Sequence, residues 1–343
     1  MENLELTTYK NKKVLITGHT GFKGAWLTLL LHKLGATVYG LSLAAKKDSL
    51  YTQIEGDKLC TSFNCDIRNQ AETAKLIQKI QADFIFHLAA QSLVIDGYKD
   101  PISTYQTNVM GTLNILEAAR NLDRCNIIIV TTDKVYENPE TGAKFKEDDP
   151  LGGYDPYSSS KACTEILTAS MRRSYFNKKN IKIVTARAGN VIGGGDYSAN
   201  RIIPDIVNAL KNNEPIVLRS PNSTRPWQHV LDVLNGYLLL GKHLDLNQNI
   251  KYNQWNFGPS NEDTLSVLEL ANTAIDYWGS GKIEINNSDQ VHEATFLGLE
   301  SKRANTVLKW NPKFDSKEAI SKTIDWYKKF YKNTTPEKKY GNF

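Results

Sequence analysis

At Thr131, Thr132, Asp133 and Lys134, two hydroxyls, a carboxylate and an ammonium follow one another, directly after the aliphatic run CNIIIV (125–130). The run reads as a buried strand, which sets these groups at its carboxyl end, where open α/β sheets hold their ligands. Downstream, YSSSK places Tyr157 and Lys161 four residues apart, on one face of a helix. An ammonium so placed can bring a phenol from its ordinary ~10 towards neutrality. The phenolate can then take the proton of an alcohol while the carbon that bears it is oxidised. Thr132 stands where it can hold that alcohol. The adjacent acid and amine add one proton donor and one acceptor, which oxidation alone does not use.

An oxidation needs somewhere to put the hydride, and TGHTGFKG near the start of the chain offers it. Gly18, Gly21 and Gly24 follow the strand pattern KVLITG (13–18) and open a helical stretch, 22–34. Glycine permits the tight turn and a close backbone approach, so a pyrophosphate can sit at the helix amino terminus beside Phe22 and Lys23. The second strand, ATVYGLSL (36–43), ends at Ser42, where an acidic residue would contact the ribose of NAD. No arginine follows it, although Lys46 and Lys47 do. NAD is the expected cofactor.

These residues have to be held by a sheet. Strand patterns at 13–18, 36–43, 60–67, 83–90, 125–130 and 181–189 alternate with helical stretches at 22–34, 69–80, roughly 99–121 and 157–176. Alternation of this kind predicts an α/β fold, a doubly wound parallel Rossmann sheet covered on both faces. From residue 190 glycine, asparagine and aromatics become frequent and strands short, which predicts a smaller mixed α/β substrate-binding lobe. Residues 229–258 look like a helix and strand returning to the sheet. The expected division is 1–189 with 229–258 for the cofactor, and 190–228 with 259–343 for the substrate.

The two-residue glycine spacing, CDI (65–67), HLAA (87–90) and the Tyr-x-x-x-Lys pair resemble the extended short-chain dehydrogenase/reductases. That resemblance implies cofactor contacts from Asp66, Ile67, Leu88, Ala89, Ala90 and Thr107, with Tyr157 and Lys161 also against the nicotinamide. Within the superfamily the chain resembles the CDP-glucose 4,6-dehydratases, through TGHTGFKGAWL, TNVMGTLNILEAAR, GGYDPYSSSKA, RAGNVIGGGD, RIIPDIV, RPWQHV, WNFGP and HEATFLGL. Dehydratases acting on dTDP-glucose carry Asp-Glu where this chain has Asp133-Lys134. The resemblance implies Asp133 as acid and Lys134 as base in eliminating water after the sugar is oxidised, provided burial or neighbouring cations lower the amine's pKa. Lys134 could instead only pair with Asp133 or face solvent. Gln91, Asn190, Arg201 and Arg225 match substrate contacts, Arg225 to the diphosphate, whereas Trp227 and His229 read as packing. The product would feed deoxysugar and surface polysaccharide synthesis.

Two stretches leave the family pattern. Ser92 and Ile95 stand where the family has proline and arginine, and PETGAKFKEDDP (139–150) replaces an aromatic-rich loop. Both are expected near the sugar or the rim of the site, which leaves the sugar and nucleotide less defined than the reaction. An epimerase or reductase of the same superfamily would use Thr132, Tyr157 and Lys161 and have no need of Asp133-Lys134. A cofactor-sensing binding protein would tend to lose Tyr157 or Lys161, and both are present.

The bulk numbers restrict the classes further. Of 343 residues, 41% are hydrophobic and 23% charged, and the net charge is +5. With no long basic block, nucleic acid is not expected as a partner. No apolar run approaches ~18 residues, and the polar start MENLELTTYKNKK does not read as a signal peptide, so a cytoplasmic enzyme away from membranes is expected. Cys60, Cys65, Cys125 and Cys163 lack metal-ligand spacing and read as buried reduced thiols, with no metal implied. Apolar positions in helices 102–120 and 158–176, with the resemblance, suggest a homodimer through a four-helix bundle, or a tetramer built from it. The tail, near KKNTTPEKKYGNF, reads as frayed.

Overall fold

A computed structural model describes residues 7–177, 179–247, 249–260, 264–286 and 296–332. The expected frayed tail and the start of HEATFLGL lie outside the described residues. The chain builds a seven-stranded sheet whose strands are β1 (Lys13–Thr17), β2 (Thr37–Ser42), β3 (Thr61–Asn64), β4 (Phe84–His87), β5 (Arg124–Val130), β6 (Asn180–Ala188) and, much later, β11 (Gln254–Phe257). Their order is β11-β6-β5-β4-β1-β2-β3, and every pairing is parallel. The order turns between β1 and β4, so the crevice for a ligand opens beyond the carboxyl ends of those two strands.

Strand residues alternate between two cores, as a pleated sheet requires. Val14, Ile16, Phe84, Phe86, Ile128 and Val184 pack on one face with helices α1 (Phe22–Lys33) and α9 (Val230–Leu246). Leu15, Leu41, Ile85, Ile127, Ile129 and Ile183 pack on the other, where α3 (Gln70–Ile80), α6 (Gly111–Ala119) and α7 (Pro156–Met171) lie. The residues expected to return to the sheet do so, as α9 and β11. The short helix α2 (Leu50–Gln53) bridges β2 and β3.

The helix read at roughly 99–121 is broken into α4 (Val94–Lys99), α5 (Pro101–Tyr105), a wider π turn (Gln106–Met110) and α6. Pro101 cannot continue α4, and Asp100 starts α5 instead by accepting a hydrogen bond from the Ser103 amide at 2.9 Å. A proline pattern also opens α7: Pro156 occupies its first turn while Asp155 accepts from the Ser158 amide at 3.0 Å. That cap fixes where the face carrying Tyr157 and Lys161 begins.

A third core unites Ile203, Ile206, Val207, Leu218, Trp227, Leu270, Ala274, Ile320 and Tyr327. It lies under short strands and three helices: β7 (Val191–Ile192), α8 (Ile202–Asn212), β8 (Ile216–Leu218), β9 (Thr224–Arg225), β10 (Gln228–His229), β12 (Leu265–Ser266), α10 (Val267–Trp278), β13 (Ile283–Ile285) and α11 (Ser316–Lys332). The paired strands here are β7 with β10, β9 with β12 and β8 with β13. Among the described residues no helix is long and apolar enough to cross a membrane. Cys65 and Cys125 are buried and Cys60 half-buried, but Cys163 is exposed on α7, contrary to the sequence reading.

Candidate active site

The glycine turn is shaped by contacts a side chain would prevent. Gly18 has φ +74°, and a Cβ there would lie 2.8 Å from the Ala89 amide nitrogen. A Cβ on Gly24 would fall 2.1 Å from the Gly18 carbonyl oxygen, so α1 can reach the turn only as glycine. Gly21 differs, because its Cβ would meet nothing nearer than the Gly18 oxygen at 3.4 Å. The fold itself does not require glycine there. The first-turn amides of α1 face the space above Gly21, which suits a pyrophosphate.

Around this turn the other expected cofactor residues fall into place or are already engaged. Ser42 closes β2 with its hydroxyl 2.8 Å from that of Thr20. The Ala89 amide donates to Thr17 Oγ1 at 3.1 Å, and Leu88 and Ala90 line the cleft. Asp66 is gripped by Arg68, with Nη2 to Oδ2 at 2.6 Å and Nε to both oxygens, and this holds its carboxyl below the usual range. Ile67 is buried against Gly111, and Thr107 is half-buried in the π turn. His19, inside the motif, is hydrogen-bonded through Nε2 to Ser62 at 2.8 Å. Burial brings its pKa down to about 4. These residues fit a dinucleotide lying along the carboxyl edge of the sheet.

Above β5 the expected catalytic set converges on a cleft of about 940 Å³ that Thr132, Asp133, Lys134, Tyr157 and Lys161 all line. Thr132 donates to Asp133 Oδ1 at 3.0 Å, while the buried Asp133 Oδ2 has no hydrogen-bond partner. Burial raises the Asp133 carboxyl above its usual range, against the pull of Lys134, Thr132 and Arg225. Burial thus favours its protonated form, and the unpartnered oxygen is placed to deliver the proton. Lys134 is half-buried beside it.

Tyr157 departs from the expectation of a phenol brought towards neutrality by Lys161. Burial pushes it up to about 12, and the groups that pull it down are the Thr132 hydroxyl and the Arg201 guanidinium. Lys161 instead gives its ammonium to the Val130 carbonyl at 2.8 Å. Burial lowers Lys161 to about 8, with Glu165 holding it up. The ammonium is thus locked to the end of β5, the strand that carries Thr132 and Asp133.

Behind this set lies a buried charge network the sequence reading missed. Glu165 pairs with Arg187 through both oxygens at 2.9 Å and accepts from Thr131 at 2.5 Å and Thr185 at 2.7 Å. Arg187 goes on to the Tyr136 hydroxyl at 2.7 Å and the Glu147 carbonyl at 2.8 Å. The one cue in the sequence was spacing, since Glu165 follows Lys161 by four as Lys161 follows Tyr157. Asn108, in the π turn, was missed as well. Its side chain joins Gln91 and Ser160 at 2.9–3.0 Å and holds the Ala90–Gln91 loop against α7.

On the substrate side Asn190, Arg201 and Arg225 line the same cleft. Arg201 reaches Asp196 at 3.2 Å and Ser92 at 2.9 Å. Gln91 does not join them. Its amide is used within its own loop, donating to Leu93 and Thr104 at 3.0 Å and accepting from the Leu93 amide. Of the two divergent stretches, Ser92 and Ile95 line the cleft as expected. Residues 139–150 do not: Phe145 stacks on Tyr136 and pairs with Gly298 and Glu300, which draws that loop onto the 296–303 segment. Trp227 lines the cleft with its indole bound to Leu265, so it is both packing and wall. His229 caps α9.

Fold and cleft together are those of an α/β protein with a glycine turn suited to a dinucleotide and an acid–amine pair, Asp133 and Lys134, at the end of β5. The model of the GDP-mannose 4,6 dehydratase family matches residues 15–323, and the chain belongs to that family. It is 39% identical over 329 residues to a CDP-glucose 4,6-dehydratase of Salmonella typhimurium, covering 93% of this chain and 91% of that one. Among solved structures it resembles an epimerase, Mth375, of Methanothermobacter thermautotrophicus (TM-score 0.82, 22% identity, 96% and 95% of the two chains). It also resembles a dTDP-glucose 4,6-dehydratase of Bacillus anthracis in complex with NAD (TM-score 0.78, 21% identity, 93% and 97%).

Proposed function

We propose that the protein is an NAD-dependent hydro-lyase that converts CDP-glucose to CDP-4-keto-6-deoxyglucose and water. The observation that carries this is Asp133, a buried acid with one unpartnered oxygen, beside Thr132 and Lys134 in the cleft that also holds Tyr157. Tyr157 is the group placed to take the proton of the sugar's 4-hydroxyl while Thr132 holds that hydroxyl. Burial alone keeps the phenol protonated, and the cationic ring of bound NAD would supply the charge that favours the phenolate. Lys161 keeps β5 and α7 in register. Bound NAD would store the hydride from the fourth carbon and return it to the sixth. With a ketone at the fourth carbon the proton on the fifth becomes acidic; Lys134 removes it, and returns it to the fifth carbon when the hydride adds to the sixth. Asp133 protonates the hydroxyl on the sixth carbon, which leaves as water.

The relative at 39% identity supports the choice of sugar nucleotide. Asn190, Arg201 and Arg225 hold the nucleotide sugar, with Gly18, Gly21, Gly24 and Ser42 around the dinucleotide. Among the described residues, those before 190 with 229–258 form the cofactor unit, which Ala304, Leu308 and Trp310 join in its first core, and the residues sharing the third core form the substrate unit. The protein works as a homodimer, supported by the exposed apolar side chains of Ile102, Met110, Ile166 and Tyr175 on the two helical runs that would form a bundle. The decisive experiment incubates the protein and NAD with CDP-, dTDP-, UDP- and GDP-glucose and weighs the products. Loss of one water from CDP-glucose is expected. Turnover without mass change would replace the dehydratase reading with an epimerase, and loss of water from another nucleotide sugar would move the substrate.

A further inference from the structure

Lys23 stands inside the glycine motif, and the cleft its side chain lines runs from Phe22, Leu88 and Ala90 to the substrate side. It lines the cleft shared by Asn190, Arg201 and Arg225, with its ammonium 5.9 Å above the Tyr237 ring. Among the described residues it has no hydrogen-bond or ion-pair partner. Arg201, in contrast, is paired with Asp196. The groups acting on Lys23 are Arg201 from the start of α8, Lys161 from α7 and Asp133 from the end of β5, two cations and one acid. The ring beneath it, on α9, presents a buried hydroxyl without a partner. An unpaired ammonium held among cations is costly unless an anion completes the cluster.

We propose that Lys23 is a third cation for the diphosphate of the sugar nucleotide, acting with Arg201 and Arg225 across the junction between the two ligands. This rests on the reading of the cleft as a nucleotide-sugar site. The diphosphate oxygens supply a counter-charge to Lys23, and they reach it from the side that Asn190 and Arg201 line. A consequence follows for protons. In the free cleft burial, with Arg201 and Lys161, lowers the Lys23 pKa to about 7. A bound anion favours the charged amine, so binding above neutral pH draws a proton from solution.

The test is calorimetric titration at pH 7.5, in two buffers of different ionisation enthalpy, with CDP and with NAD. If CDP does not bind, whichever of dTDP, UDP or GDP binds the unsubstituted protein serves as the probe, so an error in the nucleotide is separated from an error about Lys23. Uptake of a substantial fraction of a proton per CDP is expected, with NAD binding unaffected by substitution. Lys23→Met should weaken CDP roughly tenfold and abolish the uptake. Lys23→Arg should keep most of the affinity and also lose the uptake, because a guanidinium does not titrate. Unaltered CDP affinity and proton uptake in Lys23→Met overturn the proposal. So does weaker NAD with CDP unaffected, which would give Lys23 to the dinucleotide's pyrophosphate, and so does failure of all four diphosphates to bind.

Discussion

At the residue scale the most consequential group is Asp133, because its chemistry opposes its stability. Its folded-state pKa is raised, chiefly by burial. Below the ordinary carboxylate range, ~3.9, the folded and unfolded chains both hold this proton, and the neutral acid's contribution to stability is fully present. As pH rises through the folded value that contribution is lost. Asp133→Asn mimics the neutral acid at every pH. It should match the wild-type melting temperature near pH 4 and exceed it by a few degrees at pH 8. Dehydration should fall by roughly 10²–10⁴-fold, as expected for loss of a general acid. A variant as active as wild type, or one less stable at pH 8, would contradict this account. Lys134→Ala should keep dinucleotide binding and lose most dehydration, read by product mass. Turnover near the wild-type rate would give the base role to another group.

At the scale of elements, α1 separates two reasons for glycine. Gly24→Ala places a methyl 2.1 Å from the Gly18 carbonyl, so the helix must withdraw from β1. Gly21→Ala meets only one atom, at 3.4 Å. The first should melt lower by several degrees and bind NAD poorly. The second should melt like wild type and still bind NAD poorly, because only the ligand needs the space. Equal melting losses would mean that both glycines serve the turn. Helix α7 has its own dependence, since Glu165 fixes it to β5 and β6 from within a dry core. Glu165→Gln leaves Arg187 buried without its counter-charge and should cost about 3–5 kcal/mol in urea unfolding.

These two elements also show what the sequence could and could not tell. The turn of α1 was legible because its determinants are local: three glycines, a strand before and a helix after. Tyr157 and Lys161 were legible from their spacing of four. The phenol's direction of shift was not, since it depends on how deeply three distant segments bury it. Arg187 and Glu165 come from different elements, and nothing local says that both charges are dry. The break at Pro101 was open to reading, but the helical period on either side of it masked the interruption. The 139–150 loop was expected near the sugar or the rim because it stands where the family has an aromatic-rich loop. Stacking of Phe145 on Tyr136 and its pairing with Gly298 and Glu300 hold it on another segment instead.

At the scale of the whole molecule, the argument concerns the face left by α5, α6 and α7. Ile102 is 70% exposed, Ile166 58% and Met110 48%. Tyr175 adds a ring against the Arg120 guanidinium at 4.1 Å, and Tyr105 shares a hydrogen bond with Ser159. A single exposed aliphatic is ordinary, but several along two adjacent helical runs are what the proposed dimer would bury. Ile166→Glu puts a charge at the centre of that face, whereas Leu246→Glu puts one on a lone exposed leucine at the end of α9. In sedimentation velocity at micromolar concentration the wild type and Leu246→Glu should run as dimers and Ile166→Glu as a monomer. Both helical runs also carry the site, through Asn108 in the π turn and Tyr157 and Lys161 on α7. The monomer should therefore lose activity together with thermal stability, and recover both as protein concentration is raised. A dimer that survives Ile166→Glu would move the interface elsewhere. A monomer with full activity would mean that the bundle supports assembly and not the geometry of the cleft.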